Sequence, residues 1–179
     1  RSLPIVKKEL DAFLEAKVPQ VKFVDRTFNC NRQRAIDIWS YLVEHDNGIT
    51  NFHFEISSDL LGEEELELFA KMRPGLIQLE IGVQSTNGET VDAIHRHMDL
   101  DKLFHYVDSV HELGNIHQHL DLIAGLPYEN YERFGCSFDD LYAHEPDQLQ
   151  LGFLKVLKGT MMEEEVKKYS ILYRNQPPY

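Results

Sequence analysis

Cysteine is scarce in this sequence. Two of its 179 residues are cysteines, Cys30 and Cys136, and they lie far apart. That excludes a disulfide framework and any Cys-rich metal motif within the chain. Basic residues are scarce too: 18 Lys+Arg stand against 30 Asp+Glu, a formal charge of -12. Nucleic-acid binding needs a basic face, so no nucleic-acid partner is expected. No apolar run is long enough to span a membrane, and no signal-peptide pattern is present. A soluble, cytoplasmic protein with no membrane partner is expected. The sequence starts at Arg1 without a methionine and enters an amphipathic pattern almost at once. It reads as an excised piece of a larger protein. What remains is ordinary for a globular chain, 42% hydrophobic and 11% aromatic. Its length suits one domain with a sizeable core.

Hydrophobic periodicity predicts a regular alternation of helix and strand. Helices are expected at 3–16, 35–44, 63–72, 87–94, 99–113, 131–143 and 161–169. Strands are expected at 21–25, 51–57, 76–84, 117–124 and 148–156. Residues 171–179 show no periodicity and read as a tail. Such alternation implies a parallel sheet with right-handed crossovers. A doubly wound sheet buries both faces, so its strands read as continuous apolar runs. Four of these strands alternate instead. Phe52, Phe54 and Ile56 share one face, while His53, Glu55 and Ser57 share the other. Ile77, Leu79, Ile81 and Val83 oppose Gln78, Glu80, Gly82 and Gln84; Leu120 and Leu122 oppose His117, His119 and Asp121. Leu149, Leu151 and Phe153 oppose Gln148, Gln150 and Gly152. The first strand, 21–25, shows no clean alternation. Helices must cover the apolar face, so the polar face lines a lumen. Closed eight-stranded barrels fill that lumen with Val, Ile and Leu. The fold class is therefore α/β, an incomplete, TIM-like β/α barrel of five parallel strands with a wet interior.

Glu55, Glu80 and Asp121 would project from three strands into this lumen. Buried carboxylates need partners, and His53, His119, Arg96, Lys155 and Lys158 are the candidates. Two readings stay open: a site for a cationic or many-donor ligand, or a structural polar network. His117 and His119 have a spacing that can chelate a metal, but they fall early in their strand. A metal-dependent hydrolase using His53, His117 and His119 is thus a minor alternative to a packed histidine pair. Gly125-Leu126-Pro127 follows a strand and precedes a helix, where glycine allows close approach to a ligand. Cys30 sits at a strand's C-terminal rim without a clear base, and Cys136 reads as helix packing. Glu63, Glu64 and Glu65 complement a helix dipole.

Five segments resemble the radical S-adenosylmethionine superfamily in order and at βα spacing. They are VKFVDRTFN (21–29), FHFEISSDLL (52–61), IQLEIGVQSTNGETVDAIHR (77–96), HLDLIAGLPYEN (119–130) and LQLGFLKVLKGTMM (149–162). The subgroup they resemble carries an N-terminal cobalamin-binding domain and includes the magnesium-protoporphyrin monomethyl ester oxidative cyclase. The resemblance implies that the five strands are the family's second to sixth, with S-adenosylmethionine across their C-termini. It implies Glu55 at the methionine amino group, Gln84 beside the cofactor and Arg96 on the methionine carboxylate. It implies Asp121 and Ile123 at ribose and adenine, Gly125 giving room, and Leu154 near adenine. The family's Cys-x3-Cys-x2-Cys, which holds a [4Fe–4S] cluster, is absent. Asp25-Arg26-Thr27 stands where Gly-Gly-Glu is common, as in the cobalamin subgroup. Of the motif Gly-x-Ile-x-Gly-x-x-Glu, Ile123 and Gly125 match. Asp121 replaces the first Gly and Tyr128 the Glu, with Glu129 one residue late.

The expected whole is a partial radical S-adenosylmethionine barrel over 1–170 and a tail over 171–179. Its parent would cleave S-adenosylmethionine to a 5′-deoxyadenosyl radical that abstracts hydrogen from a small-molecule substrate. The cluster's ligands, and any cobalamin, would lie outside this chain, which alone would be catalytically silent. The alternative is a non-catalytic small-molecule-binding or structural half-barrel module.

Overall fold

Asparagine and aspartate punctuate the helices. Asn31 accepts a hydrogen bond from the Arg34 N–H at 3.2 Å and opens a helix. Asp99 does the same from Lys102 at 3.0 Å, and Asn130 from Arg133 at 2.9 Å. Each side chain satisfies a donor that the first helical turn leaves free. The computed structural model describes residues 1–174. In chain order the helices are α1 (Leu3–Glu15), α2 (Arg32–Glu44), α3 (Glu63–Phe69), α4 (Gly88–Ala93), α5 (Leu100–Leu113), α6 (Tyr131–Tyr142) and α7 (Met161–Glu165). The strands are β1 (Gln20–Lys22), β2 (Asn51–Ile56), β3 (Ile77–Gln84), β4 (His117–Ala124) and β5 (Gln148–Phe153). Short 3-10 turns follow β1 (Phe28–Cys30) and β2 (Ser58–Leu60).

All four strand pairings are parallel, and the sheet order is β1-β2-β3-β4-β5. A doubly wound sheet reverses its strand order at a switch point. This sheet never does, so it is the wall of a half-barrel. The apolar parity holds on the three central strands: Phe52, Phe54, Ile77, Leu79, Ile81, Leu120 and Leu122 are buried. Helices cover that face. Trp39 of α2 meets Phe54 edge-on at 5.9 Å and Phe69 of α3 at 5.0 Å. Phe28 lies 4.4 Å from Phe54, so an aromatic cluster underlies β2.

Several expectations need correction. The cap at Asn31 starts α2 three residues earlier than periodicity suggested. β5 ends at Phe153, and its outer face is uncovered: Leu151 is 48% and Phe153 80% exposed. The reason is α7, a five-residue helix that buries no residue. Cys136 is exposed rather than packed. Glu65 is buried and takes a bidentate pair from Arg32 at 2.7 and 2.9 Å, so it ties α2 to α3 beyond any dipole effect. The expected tail is without helix or strand over 171–174, and its remainder lies outside the described residues.

Candidate functional site

Strand register stacks the polar side chains into rows. Lys22 of β1 pairs with His53, and His53 with Gln78. One layer up, Glu55 pairs with Glu80, and Glu80 with His119. The next layer sets Gly82 beside Asp121 and Asp121 beside Gln150. Because side chains alternate along a strand, one polar face collects all of them.

Three carboxyls crowd this face. Lys22 Nζ donates to Glu80 Oε2 at 2.7 Å. His53 Nε2 lies 2.8 Å from the same oxygen, and His119 Nε2 lies 2.9 Å from Asp121 Oδ1. Both imidazole contacts are close but out of hydrogen-bond alignment. Burial disfavours the ionised form of Glu80, yet Lys22, His53 and His119 outweigh it and hold its pKa below the usual value. At Asp121 the same Lys22 charge is outweighed. Burial first, and then Glu80 beside it, push its pKa up to about 7. Burial and the Glu80 charge also raise Glu55. Burial lowers His53 and His119. Of the partners expected for these carboxyls, Lys155 and Lys158 make no ion pair with them; Lys22 takes that place.

Above these rows lies a cavity of about 430 Å³. Arg26, Thr27, Glu55, Ser57, Gly82 and Arg96 are among its lining residues. Arg96 Nη2 donates to the Gly82 carbonyl at 2.6 Å. Burial depresses the Arg96 pKa, while Asp59 and Glu55 act against that; a guanidinium stays charged regardless. Gln84 adopts φ 70, in the left-handed region, and its Oε1 is buried without a partner. A Cβ at Gly82 would collide with the Gln84 side-chain amide. Asn29 braces the rim: its Oδ1 accepts from Ser57 N–H at 3.0 Å and its Nδ2 donates to Ser57 O at 2.8 Å.

The residues singled out from sequence therefore separate. Glu55, Gly82 and Arg96 share the cavity, whereas Gln84 and Asp121 stand beside Gly82 but outside the lining. Ile123 stands one step beyond, opposite Gly152. Gly125, at φ 89, lines a different cavity of about 640 Å³ with Leu126 to Asn130, Arg133 and residues 169–172. Leu154 donates its N–H to Ala124 O at 2.9 Å, and its Cβ lies 3.8 Å from where a Cβ on Gly125 would stand. Among the described residues, no group of three His, Cys, Asp or Glu is placed to hold a metal ion. His53, His117 and His119 are not brought together as such a group.

The sequence profile of the Radical SAM superfamily matches residues 1–141. This chain belongs to the radical SAM superfamily. The oxygen-independent coproporphyrinogen III oxidase of Salmonella typhimurium is 31% identical over 107 residues, 56% of this chain and 23% of that protein. An uncharacterized protein of Methanocaldococcus jannaschii is 26% identical over 149 residues, 80% of this chain and 45% of that one. The chain thus spans about a quarter of the coproporphyrinogen oxidase's length. Among solved structures, the radical S-adenosylmethionine methyltransferase TsrM of Kitasatospora setae superposes with a TM-score of 0.75 at 16% identity. That match covers 86% of this chain and 31% of TsrM, which was solved with cobalamin and a [4Fe-4S] cluster bound. Coproporphyrinogen III oxidase of Escherichia coli gives a TM-score of 0.65 at 22% identity, over 84% of this chain and 38% of the oxidase. These likenesses establish the fold, the partial barrel read from strand alternation. Among the described residues, no helix is long and apolar enough to cross a membrane.

The cavity lined by Glu55 and Arg96 suits an amino-acid-bearing ligand. Carboxyls, Glu55 and Asp59, and guanidiniums, Arg26 and Arg96, share a space of ligand size. An ammonium answers the first pair and a carboxylate the second. The buried Gln84 Oε1 offers an acceptor without a partner. The cysteines do not suit an iron–sulfur cluster, which takes several thiolates: Cys30 and Cys136 are both free and exposed. Sequence reasoning missed Lys22, because β1 is only three residues long, and missed Asn29 and Asp59, which act from turns.

Proposed function

We propose that this chain is the S-adenosylmethionine-binding part of a radical SAM enzyme acting on a small molecule. Residues 1–170 are its partial barrel. The observation that carries the reading is the cavity that joins Glu55, Gly82 and Arg96 at the C-terminal ends of β2 and β3. Glu55 holds the methionine ammonium and Arg96 the carboxylate. Gly82 leaves room, and Gln84 supplies an acceptor. Asp121 and Ile123 border ribose and adenine, with Gly125 and Leu154 at the far end. S-adenosylmethionine supplies, when reductively cleaved, the 5′-deoxyadenosyl radical that takes a hydrogen atom from substrate. The chain's own residues bind, orient and shield. The cluster's ligands come from outside the 179 residues, so the chain alone is catalytically silent. A cobalamin domain belongs to the proposal through the Asp25-Arg26-Thr27 turn. The acidic composition agrees with a cytoplasmic enzyme.

Calorimetric titration with S-adenosylmethionine tests the site. Arg96→Ala and Glu55→Ala are each expected to weaken binding about tenfold or more. Equal binding by both variants and the parent chain would remove the assignment. Anaerobic iron–sulfur reconstitution tests the silence, and stoichiometric cluster absorbance would contradict it. One observation favours a structural role for part of the lumen. Glu80 is already engaged by Lys22 and His53, as a polar network requires. In a purely structural half-barrel, no S-adenosylmethionine binds at all.

A further inference from the structure

The loop after β3 and the loop after β4 meet at one carboxylate oxygen. Glu129 Oε1 accepts from Ser85 Oγ at 2.5 Å and from Ser137 Oγ at 2.8 Å. Both serines are fully buried. Each serine also takes a backbone donor: Ser85 Oγ accepts from Asn87 N–H at 3.0 Å, and Ser137 Oγ from Thr86 N–H at 3.1 Å. Each hydroxyl spends its single donor on Glu129 and accepts a backbone N–H on a lone pair. Glu129 is thus the common endpoint of two relays that start at the residues opening α4.

A second link runs beside the first. Thr90 Oγ1 of α4 donates to Pro127 O at 2.9 Å. Asn87 Nδ2 donates to Thr90 Oγ1 at 2.7 Å and to Tyr128 O at 3.2 Å. Tyr128 adopts φ 60, a conformation that favours glycine. That turn sets Glu129 one residue later than the resembled motif would place it, in reach of both serines. The far end of α4 leads directly to the cavity. Arg96 N–H donates to Val91 O at 3.1 Å, and the Arg96 guanidinium reaches Gly82 O. Gln84 immediately precedes Ser85.

We propose that Glu129 is a positioning residue for the cofactor cavity: by accepting hydrogen bonds from Ser85 and Ser137, it locks the two loops together and sets where α4 delivers Arg96. The proposal rests on the reading of Arg96 as a cofactor-binding residue, but the lock itself is a property of the free chain. Glu129 touches no cavity-lining atom of Arg96; it acts through α4. A glutamine retains the accepting oxygen and an alanine does not.

Hydrogen exchange on the 179-residue chain decides between them. In Glu129→Ala, the amides of Thr86, Asn87 and residues 91–96 exchange about tenfold faster or more, the loss expected for a severed buried hydrogen bond. Amides of β2 and α2 keep their parental rates, and Glu129→Gln stays near the parent throughout. The Arg96 Nε–H resonance shifts in Glu129→Ala and not in Glu129→Gln. Unchanged exchange at Thr86, Asn87 and residues 91–96 would overturn the proposal. So would a uniform rise across β2 and α2, which marks simple destabilisation. Calorimetry with S-adenosylmethionine separates the two readings. Failure of the parent chain to bind counts against the proposed function, while the exchange pattern still decides the lock.

Discussion

Arg96 Nη2 donates to the carbonyl of Gly82 at 2.6 Å, so the guanidinium is held against the backbone of β3. A methyl group on the same glycine needs the Gln84 side chain to move. A Cβ there would collide with the Gln84 amide and stand 3.7 Å from Arg96 Nη2. Gly82→Ala therefore displaces Gln84 and fills the cavity wall. The expected result is a folded protein, less stable by about 1–3 kcal/mol, whose binding of S-adenosylmethionine falls further than its stability does. Denaturant titration and calorimetry together check this.

Stability should depend on pH through Asp121. Its pKa rises from 3.8 in the free acid to about 7 in the fold, first by burial and then by Glu80. The folded state therefore holds a proton that the unfolded chain releases. Its contribution to stability is full below about pH 4 and is lost as pH rises towards 7. Asp121→Asn removes this dependence. Relative to the parent, the variant is expected to gain on the order of 2 kcal/mol between pH 5 and pH 8. Urea midpoints at the two pH values measure it, and a gain in the opposite direction would contradict the assignment.

Asn29 makes two hydrogen bonds to the backbone of Ser57 and is buried. Asn29→Ala leaves both Ser57 groups without these partners. A loss of about 1–3 kcal/mol is expected, with faster amide exchange at Ser57 than at Phe54. Equal exchange at the two sites would show that the brace is not local.

The half-barrel was legible in the sequence because alternation on β2, β3 and β4 separates two faces cleanly. The same rule misled on β5, where Leu151 and Phe153 alternate correctly but meet no covering helix. A strand's pattern states which side is apolar, not what packs on it. Glu55 and Arg96 were legible through resemblance, and the fold brings both to one cavity. Lys22 was not, since three residues carry no periodicity. Glu65 looked like a dipole charge because only tertiary packing brings Arg32 to it. The join of Glu129 with Ser85 and Ser137 spans 44 and 8 residues of chain, and no local pattern announces it.

The central claim is that the Glu55 and Arg96 cavity binds S-adenosylmethionine. Mapping amide chemical shifts on the 179-residue chain during titration to millimolar S-adenosylmethionine tests it most directly, because weak binding is also seen. The account predicts saturable shifts at Glu55, Gly82, Gln84 and Arg96 that vanish in Arg96→Ala. Shifts confined to other residues, or none at saturation of the solution, would contradict it.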